Sequence, residues 1–150
     1  MTARVDFYVL KSASAKQRLS FACRLTEKAY LRDLRVAVLS DDAAEAEAMD
    51  ELLWTFNERS FVPHALSRHD RAADAAAPVQ VACELDRIAA ADMLVNLSGR
   101  FPRGLERFSR IAEIIDADEE RRRLGRERFK TYRELQLPLE THRVDEAAEV

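Results

Sequence analysis

The sequence predicts an α/β fold: a single three-layer domain in which a largely parallel central sheet is flanked by helices. Three observations predict it. Strand-like and helix-like segments alternate from the N-terminus, the order that parallel strands joined by crossover helices require. The strand segments are too apolar for a sheet with one wet face. The length, 150 residues, suits one domain that buries about two-thirds of its unfolded surface.

Val5 to Leu10 (VDFYVL) is rich in β-formers and alternates poorly, as a strand buried on both faces does. Residues 14–32 follow as a helix, with Leu19, Ala22, Cys23, Ala29 and Tyr30 at the three- and four-residue steps of one face. Arg35 to Ser40 (RVAVLS) is a second strand. Asp41 and Asp42 then open a helix as N-cap and first-turn acids, and Met49, Leu52, Leu53 and Phe56 mark its inner stripe. Residues 67–78 (SRHDRAADAAAP) read as an exposed loop closed by Pro78.

Val79 to Glu84 and Asp92 to Ser98 are two more strands. After the FPRG turn at 101–104, the short, Ile-rich stretch Arg110 to Asp116 favours a strand over a helix. A helix is expected from about Asp118 to Leu135. The domain is taken as residues 1–137, and 138–150 (PLETHRVDEAAEV), poor in large apolar residues, as a loosely ordered acidic tail.

Such an architecture often holds a nucleotide on a glycine-rich loop, and here the loop is missing. The first strand-to-helix turn reads LKSASAKQ, the second LSDDAA, and the whole chain holds only Gly99, Gly104 and Gly125. Without glycine the backbone cannot approach a phosphate, and two aspartates in the second turn repel one. The fold is therefore expected to be Rossmann-like without a phosphate-binding loop.

The formal net charge is −3 and the isoelectric point about 5.7, which argues against a general nucleic-acid coat but leaves room for a local basic site. No apolar run approaches the roughly 20 residues of a membrane span, and MTARVDFYVL lacks the pattern of a signal peptide. The cytoplasm is the default compartment. Cys23 and Cys83 have no metal-ligand spacing and read as reduced core thiols. His64, His69 and His142 are the only histidines. None has a Ser or Cys nucleophile turn beside it, and no ligand set for a metal stands out. The sequence thus points to no catalytic residue, metal or cofactor.

What does stand out is RRRLGRERFKTYR, residues 121–133, in which seven of thirteen positions are Arg or Lys. On an ideal helix at about 100° per residue, Arg122, Arg126, Phe129 and Arg133 share a stripe roughly 60° wide with Lys130 at its edge. Leu124, Thr131 and Tyr132 are expected on the sheet side, with the stem of Arg128 buried and its head paired or snorkelled. Gly125, which costs about 1 kcal/mol in a helix interior, leaves a gap beside Arg126. One account of this charge is a solvated face, its arginines paired with Glu119, Glu120 and Glu127. The other is a binding site, because a ring bracketed by guanidinium groups suits a ligand both anionic and apolar. Single-stranded nucleic acid and an acidic peptide end both fit that description.

The FYVL of residues 7–10, LLWTFNERSFVPHAL (52–66) and LGRERFKTYR (124–133) together resemble the chi subunit family of the bacterial DNA polymerase III holoenzyme, an accessory of the clamp loader. The resemblance runs to about residue 135. It implies a binding activity without catalysis and without a cofactor, in a cytoplasmic, nucleoid-associated replisome. The implied partners are the acidic C-terminal tail of the single-stranded-DNA-binding protein and, as a 1:1 heterodimer, the psi subunit. DNA is then met mainly through partners, and no membrane is involved.

Carried over residue by residue, the tail-binding positions of the family fall on Arg122, Arg126, Phe129, Lys130 and Arg133. The family often has tyrosine where Phe129 stands and has lysine where Arg122 stands. The ring surface is kept and one hydroxyl is lost. The contact with psi is placed by the resemblance in the region of Trp54, Phe61, Val62 and Pro63, apolar groups beside polar Asn57 to Ser60. His64 is expected as a bystander with one ring nitrogen bonded to backbone. A helicase or repair factor on the same patch, and direct single-stranded nucleic-acid binding through the basic helix, are the alternatives these residues leave open.

Overall fold

The structure, a computed structural model, describes residues 3–67 and 74–144. Seven strands and three helices follow one another as β1 (Arg4–Leu10), α1 (Ala15–Leu31), β2 (Val36–Leu39), α2 (Ala43–Thr55), β3 (His64–Leu66), β4 (Val79–Ala82), β5 (Met93–Asn96), β6 (Arg110–Ile115), α3 (Glu119–Glu134) and β7 (Leu139–Val144). The strands form one sheet in the order β3-β4-β2-β5-β6-β1-β7, and every neighbouring pair is parallel. The expected α/β architecture is the one observed.

The central strands β2, β4 and β5 are buried along their whole length, as a sheet covered on both faces demands. One face packs against α1 and α2 through Phe21, Cys23, Met49, Leu53, Val38 and Val95. The other presents Phe7, Ile111 and Ile115, against which Tyr132 of α3 packs. Each helix begins on a side-chain cap, which satisfies a backbone donor that the helix itself cannot. Ser14, Asp42 and Asp118 accept from the N–H groups of Gln17, Glu45 and Arg121.

Two strands escape the sequence reading. β3 is short, only half-buried and lies at the sheet edge. The larger correction concerns residues 139–144, assigned above to a loose tail. They form β7, which pairs with β1 from Val5↔Leu139 to Leu10↔Val144, so the domain runs beyond 137. Gln136, at φ 60°, turns the chain after α3, and the Val5 N–H donating to Pro138 O starts the ladder at 2.9 Å. An edge strand needs a partner on one side only and gains from charged side chains that discourage further pairing. Few large apolar residues are needed to hold it. Residues 145–150 of the expected tail, and 68–73 of the expected loop with His69, lie outside the described residues.

Candidate functional site

The seat of α3 is fixed by a buried polar cluster. Glu113 of β6 is fully buried and accepts from Arg128 Nε at 3.1 Å, Tyr132 Oη at 2.8 Å and Asn96 Nδ2 at 2.9 Å. Burial pushes the Glu113 carboxyl above its ordinary range, and the Arg128 charge and the three donors oppose that shift. Burial, reinforced by the Glu113 carboxylate, likewise raises the Tyr132 hydroxyl. Arg128 is thus buried with its head paired, the first of the two states left open for it. Thr131, expected beside Tyr132 on the sheet side, is exposed instead and bonds back to Glu127 O.

The first turn is tied at a second point. Arg121 makes a bidentate pair with Asp116 at 2.8 and 2.7 Å, and Arg122 Nε donates to Asp116 O at 3.0 Å. Burial would raise the Asp116 carboxyl. Its hydrogen bonds from Arg121 and from the Asp118 N–H outweigh that and hold it below the usual carboxylate value. Gly125 packs on Ile115, which fills the space a side chain would take, while its backbone still borders the cleft beside Arg126.

With the helix so fixed, Arg122, Gly125, Arg126 and Phe129 form one wall of a cleft of about 260 Å³. Phe7 and Val9 of β1 and Ile115 of β6 make its floor, and Thr141 and Arg143 of β7 its opposite rim. Phe129 is half-buried, its ring edge-on to Phe7 at 5.2 Å. The Arg133 guanidinium lies 6.0 Å from the Phe129 ring centroid. Lys130 is exposed on the same side of the helix but does not line the cleft.

The two accounts of the helix's charge divide between its faces. Arg123 takes both nearby acids, Glu120 at 2.8 Å and Glu127 at 3.3 Å. Among the described residues no carboxylate pairs with Arg122, Arg126, Lys130 or Arg133. The pairing with nearby acids that the solvated-face account expects is thus met at Arg123. Sequence reasoning missed Phe7, Val9, Ile115, Thr141 and Arg143.

The second expected surface is partly present. Trp54 and Phe61 are 53% and 66% exposed, their ring centroids 5.7 Å apart, and Pro63 beside them is half-buried. Val62 is corrected: at 1% exposure it belongs to the core, packed beneath α2 rather than offered to a partner. His64 packs against Trp54 at 4.4 Å. Its Nδ1 lies 2.7 Å from the Val62 carbonyl oxygen, a backbone contact of the kind expected, and its Nε2 lies 3.0 Å from the Asp50 carbonyl and 3.2 Å from the Asp50 carboxylate.

A larger crevice of about 690 Å³ lies at the carboxyl ends of β2 and β4, where open parallel sheets often hold ligands. Two of the three arginines that line it are already engaged. Arg100 donates to the carbonyls of Ser40 and Cys83, and Arg107 to those of Leu85 and Ile88. The N–H of Gly99, next to Arg100 in the chain, donates to Asp41 Oδ1 at 3.0 Å. On the sheet face opposite the α3 cleft, Asp6, Glu140 and His142 bring three potential metal ligands together. Arg4 bridges Asp6 and Glu140, and Arg110 also faces Asp6. These cations make the group an ion-pair network hostile to a metal.

Residues 1–140 match the family described as DNA polymerase III chi subunit, HolC. The chain is 38% identical to the DNA polymerase III subunit chi of Pseudomonas aeruginosa, over 94% of this chain and 96% of that protein. It is 28% identical to the subunit of the same name from Escherichia coli strain K12, over 85% and 88% of the two chains. For the subunit of Haemophilus influenzae the figures are 27%, 89% and 92%. With the basic helix and the Trp54 segment both inside the matched span, the chain belongs to the DNA polymerase III chi subunit family, an accessory subunit of the DNA replication machinery.

Proposed function

We propose that the chain is a non-catalytic bridge that binds the acidic C-terminal tail of the single-stranded-DNA-binding protein at the α3 cleft. The observation that carries this reading is the set of cations with no carboxylate partner among the described residues, beside a half-buried ring at the mouth of an apolar-floored cleft. The terminal carboxylate meets Arg126 and Arg122, the last apolar side chain lies against Phe129 over Val9 and Ile115, and upstream aspartates meet the remaining cations, Lys130 and Arg133 among them. A cleft of this size takes a chain end better than a continuous strand of nucleotides.

Burying one apolar side chain contributes about 2 kcal/mol, and each charge-assisted hydrogen bond about 1.5–3 kcal/mol. After the cost of association, the sum corresponds to a dissociation constant on the order of micromolar. A weak contact serves a protein that samples many tails along coated DNA. The exposed Trp54 and Phe61, edged by Pro63, are the surface for psi, which joins the chain to the clamp loader in the cytoplasmic replisome.

Fluorescence anisotropy tests the reading with two probes at one fixed salt concentration. One is a synthetic acidic peptide with a free C-terminal carboxylate and an apolar last residue, the other a single-stranded oligonucleotide. Micromolar binding of the peptide, with far weaker binding of the oligonucleotide, is expected. The reverse order would replace the proposal by direct nucleic-acid binding.

A further inference from the structure

The rim of the cleft opposite α3 is built by β7 and carries a cation of its own. Register places Arg143 level with Val9, and Val9 level with Ile115, so the three residues form a row across β7, β1 and β6. Alternation along each strand sends all three to the face that α3 covers, where they line the cleft together. α3 packs directly on β6 at Ile115, whereas Val9 is only half-buried and Thr141 and Arg143 are exposed. Among the described residues Arg143 has neither an ion pair nor a side-chain hydrogen bond.

We propose that Arg143 is a second recognition cation, which grips an acidic side chain of the bound peptide from the side of the cleft facing Arg122 and Arg126. The inference rests on the reading of this cleft as the receptor for an acidic chain end. Two arginines on one wall and a third across a narrow apolar floor hold one anionic chain from both sides. A lone carboxylate satisfies only one wall, because the floor between them, made by Phe7, Val9 and Ile115, offers no polar partner. The site therefore selects a terminal carboxylate followed upstream by at least one more acid. The chain crosses the floor towards β7 and does not lie along the helix alone. Thr141, two residues before Arg143 on the same rim, is placed to bond the peptide backbone as it leaves.

The test compares the full chain with Arg143→Gln, Arg143→Lys and Arg126→Ala. Two synthetic peptides are titrated against each, identical except that the upstream aspartates of one are asparagines. Arg143→Gln is expected to weaken the aspartate peptide several-fold and the asparagine peptide hardly at all. Arg143→Lys should restore part of the loss, and Arg126→Ala should weaken both peptides. Equal binding of the aspartate peptide by Arg143→Gln and the parent, with Arg126→Ala still impaired, overturns the role of Arg143 and leaves the cleft standing. A parent chain that binds neither peptide overturns the reading of the cleft and this inference with it. Matching thermal melts for the two Arg143 variants and the parent confirm that the comparison is of folded proteins.

Discussion

Gly125 of α3 packs onto Ile115 of β6 so closely that a β-carbon on the glycine would stand 2.7 Å from Ile115 Cδ1 and 3.2 Å from Cγ1. Helix propensity alone makes Gly125→Ala a gain of about 1 kcal/mol. The contact reverses the sign, because overpacking a well-filled site costs about 1–3 kcal/mol and Ile115 is a stiff, β-branched residue on a central strand. Gly125→Ala should lower the urea midpoint. Adding Ile115→Val, which removes the atom in closest conflict, should recover much of the loss. A fully stable single variant would show that the helix can lift away without cost.

Removing one member of the buried Glu113 cluster should be costly in proportion to the charge left behind. Arg128→Ala strands a carboxylate in the core and should lose about 3–5 kcal/mol. Tyr132→Phe deletes one hydrogen bond and should lose about 1–3 kcal/mol. Chemical denaturation of both variants measures the difference, and a smaller loss for Arg128→Ala than for Tyr132→Phe would contradict the assignment.

The Asp116–Arg121 pair gives a defined dependence on pH. Because the folded protein holds the Asp116 carboxyl below its ordinary value, the stabilisation is present above the unfolded carboxylate value of about 3.9. It is lost as pH falls through the lower, folded value. Arg121→Gln should therefore be less stable than the parent by a constant amount near neutral pH, about 2 kcal/mol. The two melting curves should converge as the solution is taken below about pH 4.

The two thiols should be distinguishable by reaction. Cys23 is buried against Met49, and burial pushes its thiol up to about 12, so it has almost no thiolate at neutral pH. Cys83 is only half-buried, on the wall of the larger crevice. A disulfide-exchange reagent should label one thiol in the native protein and the second only after unfolding.

At the cleft, Arg126→Ala should weaken the acidic peptide roughly tenfold, about 1.4 kcal/mol, with the melting temperature almost unchanged because Arg126 has no internal carboxylate partner among the described residues. Trp54→Ala should behave in the opposite way. Peptide affinity stays at the parent's value, and the partner recovered with the parent in a pull-down is lost. A single variant abolishing both contacts would mean that the two surfaces are one.

The sequence was most readable where a segment's own period decides its structure. Burial on both faces marks β2, β4 and β5 in the residues themselves, and angular spacing around α3 isolates Arg122, Arg126, Phe129 and Arg133. It was least readable at the sheet edges. β3 and β7 are strands because a neighbour supplies half of their hydrogen bonds, and neither has the apolar content that a pattern search rewards. The floor of the cleft was hidden for a related reason. Val9 and Ile115 lie more than 100 residues apart in the chain, and only the register β6–β1–β7 brings them beneath one helix. Angular spacing also could not show that Arg123 alone would take up both Glu120 and Glu127.

The place of β1 between β6 and β7 governs the order in which the molecule can be completed. Val5 waits for Ile111 on one side and for Leu139 on the other, so β1 has no ladder partner until more than 100 further residues have emerged. At ribosomal speeds of about 5–20 residues per second that delay lasts on the order of ten seconds. Through it the apolar VDFYVL segment must be kept from pairing with the wrong chain. Fragments ending before residue 139 would leave the same segment with one bare flank, and should be recovered as aggregates instead of as a shorter, working protein.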